Sequence, residues 1–561
     1  MIARTMPTYH TLSSSRNGQR GGALLVMLVI LVIGITTAFV TSLSSTAINN
    51  KRNQTTAEAL AQAKEALIGY AVTYGDDPVH VGETDGYLPC PDMDGTAGVN
   101  PEGSSETCGN AGENTLGRLP WKTLKLMRLF DGAQECLWYV VSGNYKNNPK
   151  SGLPTMNWDT PAQLKVYSAE GVEIAPGEIV ALVIAPGVPV SGNLNRAESA
   201  APICGGNYIA AAYLENDILH GHDNTNVAAG EFILPHQHGD ANGNVTLTVN
   251  DQFAIITRQD IWQAVEQRVA REAARCLADY AATATASGKY PLPAAVINPE
   301  MPALFGRIAA TPNIAIHSQL NLDMVVGVDA LVTALNVFKA DKTAAKLAPI
   351  TVNDGIGETA KDAAKDVKDY YDGHSSEDPS GKLEDEASNL KSAANNAMDL
   401  TAASSDATIN DILQNISDAY AQFGANLTTP NDTMPTSWTA TCNLFGAERW
   451  NHWKNHIFVQ IANGFKPGSG SSPGCGSTCM DIQGAGGTAI GPGDYRAVVV
   501  GAGKQLGASR TTTNVADYLE SDNLLPQTNV SNPYKTYRRT DTEYQENNDL
   551  VLCLNGTATC P

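Results

Sequence analysis

The spacing of apolar positions changes character along the chain. From Gly22 to Val40, nineteen residues carry no charge. As a helix rising 1.5 Å per residue this run is about 28 Å long, close to the roughly 30 Å core of a bilayer. From Thr41 to Tyr74 there is one glycine, Gly69, and no proline. There Ala57, Leu60, Ala61, Ala63, Ala66, Leu67, Tyr70, Ala71 and Tyr74 form a helical stripe, with Gln54, Glu58, Gln62, Lys64 and Glu65 opposite. The pattern predicts one helix over residues 22–75, first uniformly apolar and then amphipathic. Further on the period shortens. Val180–Ala185, Ala497–Val500 and Asn250–Thr257 predict strands, and residues 258–282 predict a second amphipathic helix.

Arg4, Arg16 and Arg20 precede the apolar run and no acidic residue does. This predicts a single-pass inner-membrane protein, N-terminus cytoplasmic, with Leu24, Val26, Met27, Leu31 and Val40 in the span. The bulk is then exported from the cytoplasm. A cleaved secretory signal ending near Ala47 and a plain signal anchor are the alternatives. The apolar run exceeds the usual signal-peptide core, and the helical pattern continues beyond it.

A basic leader ending in Gly21 or Gly22, an apolar half-helix and an amphipathic half-helix resemble the type IV pilin and pseudopilin superfamily. The resemblance implies a leader over residues 1–21 removed by prepilin peptidase, with Gly21, Gly22 and Ala23 at the cut and a methylated new N-terminus. It also implies an α+β fold, one long helix packed on an antiparallel sheet. Most family members carry glutamate at the fifth mature position, where this chain has Val26 or Met27. A subunit without that carboxylate resembles minor, tip-located members.

The chain also repeats itself. P-G-E-I-V-A-L-V-I-A-P-G (Pro176–Gly187) returns as P-G-D-Y-R-A-V-V-V-G-A-G (Pro492–Gly503), and Y-L-E-N-D-I-L (Tyr213–Leu219) as Y-L-E-S-D-N-L (Tyr518–Leu524). N-D-Q-F-A-I-I (Asn250–Ile256) returns as N-D-L-V-L-C-L (Asn548–Leu554), and W-Y-V-V-S-G-N-Y-K (Trp138–Lys146) as F-V-Q-I-A-N-G-F-K (Phe458–Lys466). Blocks recurring in one order imply two modules. The first comprises helix 22–75 and a head over 76–257. The second, over 258–561, begins with a helix too charged to enter lipid. An Ala-, Asp-, Lys- and Ser-rich stretch, 339–437, predicts a helical insertion in the second head, solvated or in contact with a partner.

Net charge is −21, from 37 basic and 58 acidic residues, with no basic patch. Nucleic acid is therefore not an expected partner. All ten cysteines follow the apolar run, an even number that reads as disulfides. The local candidates are Cys90–Cys108, Cys475–Cys479 and Cys553–Cys560. There is no G-x-S-x-G, no H-E-x-x-H and no complete P-loop, although Gly501-Ala-Gly-Lys504 has a phosphate-loop flavour. Two clusters have metal chemistry: His220, His222, His236 and His238 for zinc or copper, and Asp92 and Asp94 for calcium. Exposed loop histidines and a disulfide-closed acidic loop are their ordinary readings.

The expectation is a non-enzymatic minor pilin or pseudopilin subunit, of a type IV pilus or type II secretion apparatus, at a tip or initiating position. Its partners would be other such subunits, prepilin peptidase and the inner membrane. The alternative is a membrane-anchored or pilus-displayed adhesin.

Overall fold

A computed structural model describes residues 20–80, 82–93, 101–151, 156–190, 196, 207–217, 220–239, 245–283, 286–291, 293, 319–373, 378, 380–426, 442, 449–462, 465, 479–483, 489–506, 510, 517–519, 523, 536–538, 548–555 and 558–559. The fold is mixed α+β. Helix α1 spans Arg20–Val72. Ten strands follow: β1 (Thr115–Arg118), β2 (Trp138–Val141), β3 (Leu164–Tyr167), β4 (Glu173–Ala185), β5 (Asn216–Asp217), β6 (His222–Asp223), β7 (Glu231–Ile233), β8 (His236–Gly239), β9 (Val245–Val249) and β10 (Gln252–Thr257). Helix α2 spans Arg258–Ala281. Helices α3 (Gln319–Ala340), α4 (Ala344–Thr351), α5 (Ile356–Gly373), α6 (Lys382–Met398) and α7 (Asp406–Asn426) come next. The short α8 (Arg449–Trp453) precedes β11 (Ile457–Ile461), β12 (Met480–Gln483), β13 (Ala489–Tyr495), β14 (Ala497–Gly501), β15 (Thr536–Arg538), β16 (Leu550–Asn555) and β17 (Ala558–Thr559).

Two sheets share one register. In the first, Trp138, Tyr139, Val140 and Val141 of β2 face Ile184, Val183, Leu182 and Ala181 of β4. On the other edge of β4, the same four residues face Phe253, Ala254, Ile255 and Ile256 of β10. In the second, Phe458, Val459, Gln460 and Ile461 of β11 face Val500, Val499, Val498 and Ala497 of β14. Those four face Val551, Leu552, Cys553 and Leu554 of β16. In these strands each residue of a repeated block thus meets the partner that its counterpart meets. A one-residue slip would turn each strand's buried set to the other face, so matched registers mean matched cores.

The two long helices are buried differently. The C-terminal part of α1 lies on β4, β10 and α2, burying Ala59, Leu60, Ala63, Leu67 and Ala71. Ala57 and Ala61, expected on this stripe, are exposed, because the buried face is centred on the Ala59–Ala63–Leu67 line. Helix α2 touches α1, β4 and β10 and also β14, β16 and β17. It buries Ile261, Trp262, Val265, Glu266, Val269, Ala270, Ala273, Ala274 and Leu277. Its start is fixed by a capping box in which Thr257 and Asp260 satisfy each other's backbone N–H groups.

Helices α3–α7 bury a core of their own, including Met324, Val328, Leu331, Phe338, Val367, Leu390, Ile412 and Phe423. Ala360 and Ala364 face this core from α5, and Gly327 of α3 lies against the Ala360 backbone, so small side chains let the helices approach closely. This helical unit starts at Gln319, ahead of the Lys339 read from composition, because α3 supplies much of its core.

One expectation is corrected. Among the described residues, no helix is long and apolar enough to cross a membrane, which overturns the expected single-pass placement in an inner membrane. Along the described surface of α1, Asn49, Asn50, Lys51, Arg52, Asn53 and Gln54 stand exposed together with Val32 and Ile48. Leu31 is exposed on α1. The side chains of Gly21, Gly22, Ala23, Leu24, Val26, Met27 and Val40 lie outside the described residues, as does the whole 1–19 leader segment.

Candidate functional site

Three features hold chemistry or surface that the fold alone does not use. The first is the exposed part of α1. Leu31, Val32 and Ile48 are 61%, 49% and 54% exposed, and residues 49–54 are exposed with them. Among the described side chains of α1, burial begins at Thr56, whose hydroxyl accepts the Gly132 N–H at 2.9 Å.

The second is the junction between the matched sheets. Arg196 and Arg510 do the same local work. Arg196 donates to the carbonyls of Gly187 and Tyr213 and lies over the Tyr213 ring. Arg510 donates to the carbonyls of Gly503 and Asp517 and lies over the Tyr518 ring. Asn250 Nδ2 bonds the Val188 carbonyl and Asn548 Nδ2 the Lys504 carbonyl, each at 2.6 Å. The ion partners differ. Arg196 pairs with Glu135 of its own sheet region, whereas Arg510 reaches Asp159, 351 residues back in sequence, at 3.1 Å.

Glu178 joins Arg258 and Lys504 across the same seam, at 2.6 and 2.7 Å. Lys504, the cation of the phosphate-loop-like motif, is thereby committed to a carboxylate. A cavity of about 310 Å³ lies here, lined by Trp158, Glu178, Thr257, Lys504 and Asn548. Behind it, Glu266 is buried with Oε2 accepting the Trp158 indole N–H at 3.0 Å, and burial pushes its carboxyl up to about 8.

The third is a histidine–aspartate cluster at the edge of the first sheet. The β5–β6 hairpin places Asp217 opposite His222, and β8 carries His236. His220 Nδ1 lies 2.5 Å and His236 Nε2 3.4 Å from Asp217 Oδ2. The ligand atoms of Asp217, His220 and His236 all lie within 4.8 Å of one another. Asp217 Oδ2 also accepts the His220 backbone N–H, which orients the turn. His222 instead stacks on Tyr167, its ring centroid 3.9 Å away, and His238 is exposed. Spacing grouped four histidines but missed Asp217. Its sequence signal is the acid three residues ahead of His220, at the end of a repeated block.

The other metal candidate is already satisfied. Asp92 is buried, and its Oδ2 accepts the Gly103 N–H at 2.6 Å and the Tyr208 hydroxyl at 3.0 Å. Asp94 lies outside the described residues.

Cys90 is bonded to Cys108, and Cys276 to Cys442 across 166 residues. The second bridge ties α2 to the segment after the helical unit, a pairing that no local spacing signals. Cys479 and Cys553 are disulfide-bonded, while Cys475 and Cys560 lie outside the described residues.

Comparison with protein-family models, with curated proteins and with solved structures finds no match.

Proposed function

We propose that this chain is a non-enzymatic structural subunit of a filament of the pilin or pseudopilin type. The observation that carries the reading is the contrast along α1. Its C-terminal part is a core helix of the head, while Leu31, Val32 and Ile48 stand in solvent on a continuous helix. The sequence around them, Gly22 to Val40, is uncharged. An apolar segment of that length gains by burial, at roughly 25 cal/mol per Å². In this proposal the covering surface is the same segment of other copies, packed side by side. The heads then meet head-to-tail, a heterologous contact that propagates. Removal of the leader at Gly21 or Gly22 would leave nearly the whole of α1.

Two matched sheets around one interior helix support a bulky subunit suited to an end position. Filament formation by the full chain, followed by sedimentation and electron microscopy, tests the proposal. Leu31→Asp combined with Val32→Asp is expected to abolish assembly while leaving the circular dichroism of the head unchanged. A wild-type chain that stays monomeric at every concentration would sink it.

A further inference from the structure

We propose that Asp217, His220 and His236 form a site for a divalent transition metal of the zinc type. Two imidazoles and one carboxylate suit zinc and its first-row neighbours better than calcium or magnesium, which prefer all-oxygen shells. Donors about 2.1 Å from a tetrahedral metal lie about 3.4 Å apart, which is the His236 Nε2 to Asp217 Oδ2 separation of 3.4 Å. The remaining donors need small side-chain adjustments from their 4.8 Å envelope.

The decisive feature is His236. Its Nδ1 lies 3.1 Å from the Leu234 carbonyl oxygen, which can only accept. In the neutral ring the proton is therefore on Nδ1, which leaves Nε2 with a lone pair. That Nε2 is buried without a hydrogen-bond partner, and the side chain is 4% exposed. An orphaned, correctly tautomerised nitrogen aimed at a buried carboxylate is what a metal ligand looks like before the metal binds. His220 supplies the route in, because its side chain is 25% exposed while Asp217 is fully buried. Three protein ligands leave one position for water. The metal would clamp the β5–β6 hairpin to β8, joining pieces of the first head that are short as strands.

The site is tested on the full chain, stripped with chelator and titrated with zinc chloride alone against a chromophoric competitor. One equivalent is expected to bind. His220→Ala and His236→Ala should each weaken binding by more than the roughly 10–100-fold typical of second-shell changes, and His238→Ala should leave it unchanged. Zinc should raise the thermal midpoint of the wild type by about 2–4 °C and that of His220→Ala by none. If His236→Ala fails to fold, the partly exposed His220 carries the test. Absence of stoichiometric zinc, or equal affinity in His220→Ala, would overturn the assignment. Loss of affinity in His238→Ala would do so too.

Discussion

The two matched sheets hold the same residues in the same register, yet their helices live in different surroundings. Helix α1 is buried along one line and leaves the head; α2 is buried by α1 and the first sheet on one side and by β14 and β16 on the other. The helix sequence A-K-E-A-L-I-G-Y-A (Ala63–Ala71) returns as A-A-R-C-L-A-D-Y-A (Ala273–Ala281), which aligns Ala63 with Ala273 and Leu67 with Leu277. Continuing that alignment sets Arg52 against Trp262 and Thr56 against Glu266. Arg52 is exposed, and Thr56 is buried with its hydroxyl donating to the Arg52 carbonyl and accepting the Gly132 N–H, whereas Trp262 and Glu266 are closed in by both sheets. Helix identity is thus carried by what packs on it. One repeated frame is buried along a single face in one place and on two sides in the other.

The first way to break this comparison is at Arg52 and Trp262. Trp262 is fully buried, donates its indole N–H to the Tyr145 hydroxyl at 3.0 Å, and lies so close to Gly86 that no Cβ fits there. Trp262→Ala should cost about 3–5 kcal/mol in urea unfolding. Arg52→Ala, at an exposed position, should stay within about 0.5 kcal/mol. Similar costs for both would mean that the two helix environments are equivalent.

The second pair separates the modules by pH. Burial raises the Glu266 carboxyl to about 8 from its ordinary 4.5. The folded chain therefore binds one proton more than the unfolded chain between about pH 4.5 and 8. This contribution is fully present below 4.5 and is lost as pH rises through 8. About 5 kcal/mol should disappear across that window of roughly 3.5 pH units, at about 1.4 kcal/mol each, and Glu266→Gln should flatten it. Thr56→Val has no titrating group to lose and should leave the slope intact. A slope unchanged in Glu266→Gln would refute the burial argument.

Arg196 and Arg510 sharpen the comparison further. Both side chains are 7% exposed and bond buried carbonyls. Each truncation to alanine should cost about 2–3 kcal/mol. Only Arg510→Ala also cuts a link between distant parts of the chain, through Asp159. Limited proteolysis should therefore cleave near the seam faster in Arg510→Ala than in Arg196→Ala.

How far the sequence revealed this depended on the range of the interactions. The strands at β4, β10 and β14 and helix α2 were legible, because β-branched runs and an amphipathic period act within a few residues. The helical insertion over 339–437 was legible from its Ala-, Asp-, Lys- and Ser-rich composition, and α4, α5, α6 and α7 lie within it. Helix α3 was missed, being apolar enough to pass for part of a head. Asp217 was missed because its partner His236 sits across a hairpin, and the Cys276–Cys442 bridge because no local spacing encodes 166 residues. The placement of α1 in a membrane was read from the uncharged run Gly22–Val40 and the basic flank Arg4, Arg16 and Arg20, and it falls because no helix among the described residues is long and apolar enough to cross.

The smallest expected effect lies at Lys504, whose counterpart in the first repeat is Val188. The Lys504–Glu178 pair is made by a lysine side chain that is 40% exposed. Solvent screening and side-chain entropy limit such a pair to about 0.2–1 kcal/mol. Glu178 keeps two bonds to Arg258 when the lysine is gone, at 3.1 and 2.6 Å, so no buried charge is orphaned. Lys504→Val, which makes the second repeat like the first, should therefore shift the urea midpoint barely at all. It should shift less still in high salt, where the wild-type pair is already screened. A loss above 2 kcal/mol would mean that the seam depends on this lysine, and that the two repeats diverged here for stability.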